Sequence, residues 1–336
     1  MKHTILFVER KPFESVSIEK AFRQIAASLS SDFEVEFQQL PYGNRFFDTI
    51  RNLLYFRQRP ADIYHITGQV HYIALLFGRV NTVLSIMDVR FLYRKPGPRR
   101  WLLKKLYIDW PLRRLDFITA ISEQTKSEIV RYTGCSEEKI LVLDLPLVTE
   151  IDAGENRKFN NLKPTILQVG TMDNKNIPIL AKALNGTNCK LRIVGRLSLD
   201  QISALSENHV EYESAQDLTD EQLREEYRAA DLVAFCSTYE GFGLPIIEAQ
   251  AMRKPVITSN LRPMIETSGG AAYLADPLDF MSIREGIQKI IDDEGYRNRL
   301  IKDGLQNISR FAPEAVAVQY ENLYRRILDM ANRSQG

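Results

Sequence analysis

Two acids, Glu240 and Glu248, bracket the run Gly241-Phe242-Gly243-Leu244-Pro245. Upstream, Asp231-Leu232-Val233-Ala234-Phe235 is a short apolar run of strand length, and Pro245 suits the first helical position, where its missing N–H is not needed. A strand, a glycine elbow and a helix start are thus compressed into one stretch. Free N–H groups collect near Gly243 and Leu244, where the helix dipole favours a phosphate and the glycines let backbone approach it. Glu248 is expected in the first turn, leaning back toward the same pocket mouth as Glu240. Acids beside a phosphate site make sense as acceptors for sugar hydroxyls, since a carboxylate takes two such hydrogen bonds at once.

The spacing within EGFGLPIIEAQAM, followed by Lys254-Pro255-Val256-Ile257-Thr258-Ser259, closely resembles the signature of retaining GT-B glycosyltransferases of family 4, also called glycosyl transferases group 1. The likeness extends to Tyr227-Arg228-Ala229-Ala230-Asp231, to Gly269-Gly270-Ala271-Ala272, and to Asp276-Pro277. It also takes in Val169-Gly170-Thr171 with Lys175-Asn176, and Leu191-Arg192-Ile193-Val194-Gly195. The C-terminal half is covered almost continuously, the N-terminal half only loosely. The resemblance implies transfer of a hexosyl group from a UDP- or GDP-linked sugar to a hydroxyl of a glycan or lipid-linked acceptor. It also implies retention of configuration, with no metal and no cofactor beyond the nucleotide sugar as substrate. Polysaccharide biosynthesis is the expected setting.

A departing nucleotide diphosphate develops negative charge, so a catalyst needs fixed positive charge and N–H donors aimed at it. Lys175, in the loop after the strand Thr165–Val169, is the best candidate, with Asn176 as a natural cap for the helix that follows; a solvated loop lysine is the bland alternative. Relatives add an arginine directly after the glycine or directly before the lysine. Here those places hold Thr171 and Asn174, and Arg196 is a candidate for the second charge, weighed evenly against a surface salt bridge. By resemblance, Glu240 contacts the transferred sugar and Glu248 the ribose. The catalytic candidates are Lys175, Glu240 and Asp88. The donor-binding candidates are Gly170, Thr171, Asn176, Gly195, Arg196, Tyr239, Gly241, Phe242, Gly243, Leu244 and Glu248.

The first half departs from the family pattern. Met87-Asp88 stands where many relatives carry histidine followed by aspartate, and methionine transfers no proton. Asp88 is retained to orient acceptor or sugar, and His65 and His71 are candidates to replace the lost histidine, against the commoner structural role of a lone histidine near a turn. The double-glycine loop after the first strand is replaced by Arg10-Lys11-Pro12-Phe13-Glu14-Ser15-Val16-Ser17. A noncatalytic nucleotide-sugar-binding or assembly subunit is therefore the rival reading, and a GT-B sugar-nucleotide epimerase ranks last. Residues 93–107 combine basic residues with Trp101 and leucines and reach no acid until Asp109. That segment is a candidate contact for an anionic membrane surface, and a solvated helix accounts for it too.

Short apolar runs alternate with amphipathic stretches, the pattern of an α/β protein with parallel strands and crossover helices. In the first half, strands are expected near Thr4–Val8, Phe33–Leu40, Asp62–Ile66, Asn81–Ile86, Phe117–Ala120 and Ile140–Leu143, with helices near Ser17–Leu29 and Ser122–Tyr132. In the second, strands are expected near Thr165–Val169, Lys190–Val194, Val210–Tyr212, Asp231–Phe235, Pro255–Thr258 and Ala272–Leu274. Two Rossmann-like domains follow from this, 1–148 and 163–312, facing each other across a cleft; by resemblance the first takes the acceptor and the second the nucleotide sugar. By resemblance, a helix over 313–330 crosses back onto the first domain. The 44 basic and 43 acidic residues nearly cancel, giving no field for nucleic acid. Cys135, Cys189 and Cys236 are scattered without metal-ligand spacing, and no apolar run reaches spanning length. A cytoplasmic location is expected, with peripheral contact at the inner membrane surface as an added reading.

Overall fold

The computed structural model describes residues 2–11, 17–43, 45–90, 97–148 and 158–333. The chain forms two compact units, Met1–Val148 with Phe311–Gly336, and Thr149–Arg310.

The first unit contains six parallel strands: β1 (His3–Glu9), β2 (Phe33–Gln39), β3 (Ile63–Ile66), β4 (Thr82–Ile86), β5 (Phe117–Ala120) and β6 (Ile140–Val142), in the order β2-β1-β3-β4-β5-β6. Inner strands are buried on both faces, which is why Ile63–Ile66 and Thr82–Ile86 read as unbroken buried runs. The helix Pro313–Arg333 packs into this unit. Tyr320 and Tyr324 are wholly buried, and their rings meet Phe22, Phe33 and His65. The chain returns through a backbone bond in which Leu147 N–H donates to the Phe311 carbonyl at 2.8 Å.

The second unit holds β7 (Thr165–Val169), β8 (Lys190–Val194), β9 (Glu211–Ala215), β10 (Leu232–Phe235), β11 (Val256–Ser259) and β12 (Tyr273–Ala275). All pairs are parallel, in the order β12-β11-β10-β7-β8-β9. The order reverses between β10 and β7, the switch point where ligands of doubly wound sheets bind beyond the strand carboxyl ends. Asp231 is not part of β10. Its carboxylate instead accepts the N–H groups of Asn160 and Thr165, at 3.0 and 2.8 Å, fastening the start of β7.

Two details of the expected elements shift. β9 lies at the sheet edge and runs from Glu211 to Ala215, later than the expected Val210–Tyr212, with its residues exposed or half-buried. The helix Phe46–Tyr55 carries no marked start or stop in sequence; its N-terminus is held by the Asp48 carboxylate accepting Arg45 N–H.

Candidate functional site

Three loops at the carboxyl ends of β7, β8 and β10 converge in the second unit. Gly170 ends β7 with φ +90°, and a Cβ there would come within 2.8 Å of Lys175 Cε. The lysine side chain therefore lies across the glycine. From there its Nζ reaches Glu240 Oε1 at 2.7 Å and sits 4.3 Å from the centre of the Phe235 ring. Asn174 braces the same carboxylate: its Nδ2 donates to Glu240 Oε1 at 3.0 Å and to the Tyr239 carbonyl at 2.7 Å, while its own carbonyl accepts Thr238 N–H. Gly195, at the end of β8 with φ +134°, leaves the room that Thr171 fills. The Thr171 carbonyl accepts from Gln201.

The helix Leu244–Ala251 opens on Gly243, whose φ of +108° only glycine adopts without strain. Pro245 occupies the second helical position, one later than expected, and Ile246 N–H already serves the Gly243 carbonyl. Gly243 and Leu244 remain as N–H donors outside the helical ladder. The same Phe235 ring that carries Lys175 approaches the Cβ position of Gly243 to 3.8 Å, so the lysine and the helix tip border one place. Phe242 is buried, and its carbonyl accepts Thr267 Oγ1–H. Gly241, Tyr239 and Leu244 are half-buried around it.

Glu248 falls one residue beyond the first turn, where no acid stands, because the helix begins at Leu244. Tyr227 O–H donates to Glu248 Oε2 at 2.6 Å. Burial pushes the Glu248 carboxyl above its ordinary pKa, outweighing the Tyr227 hydrogen bond and the Lys175 charge, which pull it down. Burial, and then the Glu248 charge, raise the Tyr227 hydroxyl well above its ordinary range, so it stays a donor.

Other expected residues have different duties. Asn176 stands at the helix start but does not cap it: its φ is +61° and its amide donates to the carbonyls of Cys236, at 3.1 Å, and Pro277, at 2.6 Å. It ties three loops together, which gives Asp276-Pro277 a structural purpose. Arg196 pairs with no acid among the described residues; it is exposed beside Gly195. Asn174, Phe235 and Tyr227 form part of this site without having been singled out as ligand groups; the Tyr227 to Asp231 run was the only signal for the last of them.

In the first unit, Asp88 lies at the carboxyl end of β4, half-buried, with Oδ1 accepting Arg90 N–H at 3.0 Å. Met87 beside it is 4% exposed. His65 is a core residue and not a replacement for the missing histidine. Its Nδ1 pairs with Tyr324 OH and its Nε2 with Ser85 Oγ, both at 2.7 Å, and burial lowers its pKa to about 3. His71 is buried too, its Nδ1 at 3.1 Å from the Tyr107 carbonyl, and burial lowers its pKa to about 4. Residues 12–16 of the altered first loop and 91–96 of the basic segment lie outside the described residues. Further along that segment Trp101 is exposed, but Lys104 and Lys105 both bind Asp109, at 2.9 and 2.8 Å. Burial works against the Asp109 carboxylate, yet hydrogen bonds from Lys105 and Lys104 outweigh it and hold its pKa below the ordinary value. One carboxylate thus offsets one of these two charges, and the trio keeps a net positive charge. No helix among the described residues is long and apolar enough to cross a membrane.

Residues 152–307 match the family model described as glycosyl transferases group 1. The O-antigen chain mannosyltransferase B of Escherichia coli is 37% identical over 106 residues, which is 32% of this chain and 28% of that protein. The capsular polysaccharide biosynthesis glycosyltransferase CapM of Staphylococcus aureus is 26% identical over 311 residues, 82% of this chain and 79% of CapM. Among solved structures, a sucrose-phosphate synthase from Thermosynechococcus elongatus superposes with TM-score 0.77 at 18% identity, covering 98% of this chain and all of that one. Anabaena HepE, in complex with UDP and glucose, gives TM-score 0.70 at 16% identity over 96% of this chain and all of that one. At these identities the structural likeness concerns the fold, and it is the α/β fold of two six-stranded parallel sheets described above. The second unit is thus similar, over residues 152–307, to the glycosyl transferases group 1 family, and the two six-stranded parallel sheets have the GT-B fold of two Rossmann-like domains.

Proposed function

We propose that the chain is a retaining, metal-independent glycosyltransferase that moves a hexosyl group from a UDP- or GDP-linked sugar to a hydroxyl of a glycan or lipid-linked acceptor. The observation that carries this reading is the cluster of Lys175, Glu240 and the Gly243 helix tip around the Phe235 ring. Lys175 and the N–H groups of Gly243 and Leu244 supply the positive field for a departing pyrophosphate, so the reaction needs no metal ion. Glu240 takes hydroxyls of the transferred sugar, and Glu248, held at one oxygen by Tyr227, offers the other to the ribose. Gly170 and Gly195 leave the room that Lys175 and Thr171 fill beside the ligand, and Arg196, exposed next to Gly195, is the second cation. Asp88 orients the acceptor from the first unit, and residues 93–107 add a peripheral membrane contact. The relatives named for mannosyl transfer and capsule synthesis, and HepE with UDP and glucose, support this class of donor and acceptor.

The test is a panel of UDP- and GDP-linked hexoses. One donor raises the melting temperature, by mass action, and is transferred or slowly hydrolysed, with the anomeric configuration kept when followed by NMR and the rate unchanged in EDTA. If no donor stabilises the protein, the reading fails. Stabilisation with neither transfer nor hydrolysis favours the rival, a noncatalytic nucleotide-sugar-binding subunit, to which the buried Met87 beside Asp88 lends its support.

A further inference from the structure

Asn174 stands directly before Lys175, one of the places where relatives carry an arginine. Both hydrogens of its side-chain amide are committed: Nδ2 donates to the Tyr239 carbonyl at 2.7 Å and to Glu240 Oε1 at 3.0 Å. Its main-chain carbonyl accepts Thr238 N–H at 2.8 Å. The residue is 7% exposed, so these bonds are made largely out of water, where losing one costs most. An arginine here would add a second positive charge. The asparagine instead bolts the loop after β7 to the loop after β10 and takes hold of a carboxylate.

The consequence falls on Glu240. Its Oε1 receives both Asn174 Nδ2 and, at 2.7 Å, Lys175 Nζ, while Oε2 has no partner among the described residues. The Glu240 side chain is 14% exposed and that of Lys175 10%. A nucleoside diphosphate that takes Lys175 leaves Glu240 as a nearly buried anion with Asn174 as its remaining partner, and a charge so placed is costly. A sugar hydroxyl donating to Oε2 offsets that cost, provided the carboxylate stays where it was. An amide donating to Oε1 keeps it there without supplying a second cation for the phosphate. We propose that Asn174 is a positioning residue: it fixes Glu240 so that Oε2 meets the transferred sugar, and so makes the site prefer an intact nucleotide sugar over the bare nucleoside diphosphate left after transfer. This rests on the donor reading above and adds to it how product is told from substrate. The same geometry favours release, because once the sugar has gone the Lys175–Glu240 pair closes again and displaces the diphosphate.

Isothermal titration calorimetry with UDP, GDP and the hexose-linked form of each tests it. In the intact protein the accepted donor should bind at least about tenfold more tightly than its own bare diphosphate, the worth of one hydrogen bond to a charged group. Asn174→Ala should weaken the donor about tenfold and leave the bare diphosphate nearly unchanged, so that the preference disappears. Asn174→Leu, which keeps the branched shape but has no N–H to give, should do the same. Glu240→Gln should tighten the bare diphosphate several-fold, since Lys175 then leaves no carboxylate behind. A residue that merely holds two loops together would lower both affinities alike in the Asn174 variants, and that result overturns the proposal. An intact protein that binds donor and bare diphosphate equally overturns it alone, with the transferase reading left standing. Binding of neither ligand removes both.

Discussion

Lys175 Nζ lies 2.7 Å from Glu240 Oε1 and 4.3 Å above the Phe235 ring, with both ionic side chains largely out of water. The cation and the anion neutralise each other in this pair. In the proposed reaction a pyrophosphate would draw on Lys175 and free Glu240 for hydroxyl groups, so donor binding would replace one pairing with two.

Lys175→Ala and Glu240→Ala should each lower turnover by about 10²–10³, the range for losing one transition-state charge contact. Each should also destabilise the second unit, by up to about 3–5 kcal/mol for a fully buried pair and by less here, since some solvent reaches both groups. In the double variant the loss of stability should be smaller than the sum, because neither charge is left alone. Steady-state rates and thermal melts of the three proteins measure this; unchanged rates in both single variants remove the assignments.

Gly170→Ala should act through the lysine. The added methyl falls 2.8 Å from Lys175 Cε on a backbone with φ +90°. The expected outcome is a loss of stability of about 1 kcal/mol or more from the strained backbone, together with a turnover defect approaching that of Lys175→Ala. A variant with the stability loss but full activity would show that the lysine finds its position without the glycine.

Glu248 sets a pH-dependent signature. Its folded-state pKa is raised by burial, so the folded protein holds the proton more tightly than the unfolded chain. The stabilising contribution of that proton is fully present below the ordinary carboxylate pKa and is lost as pH rises through the folded value. Glu248→Gln should accordingly raise the melting temperature at pH 7 to 8, with the gain shrinking toward pH 4, while weakening donor binding. Tyr227→Phe should raise the KM for donor more than it lowers kcat, since it frees the Glu248 carboxylate to turn without touching substrate. A gain in melting temperature that is the same at both ends of this range speaks against an ionised Glu248.

The buried histidines have the opposite sign. His65 and His71 have folded pKa values of about 3 and 4, both below the ordinary 6.5. Their contribution is present above pH 6.5 and lost as pH falls toward those values, with a slope of up to about 1.4 kcal/mol per pH unit for each. His65→Gln should cost about 1–3 kcal/mol at pH 7 through Tyr324 and Ser85, flatten the acid limb of the stability curve, and leave the KM for donor unchanged. Melts at pH 7 and pH 4.5 for both proteins give the comparison.

The sequence by itself determined the α/β alternation, the switch-point glycines and the candidate donor cluster, because strands of a doubly wound sheet and glycine elbows are local features written in short runs. Gly243 and Pro245 announce a helix start from five residues, and the one-position shift of Pro245 changes little. Partnerships were decided only by the tertiary structure. Lys175 and Glu240 stand 65 residues apart and meet because β10 lies beside β7 in the sheet. Asn176 has a cap's identity, yet neighbouring loops offer it two carbonyls. His65 resembles a residue at a strand end, but the helix Pro313–Arg333 closes over it. The helix Phe46–Tyr55 turns Asn52 and Thr49 inward, where Tyr72 and Tyr107 from elsewhere in the chain meet them. Periodicity reveals that a helix has two faces. Which face is buried depends on the groups that packing brings to it from distant parts of the chain.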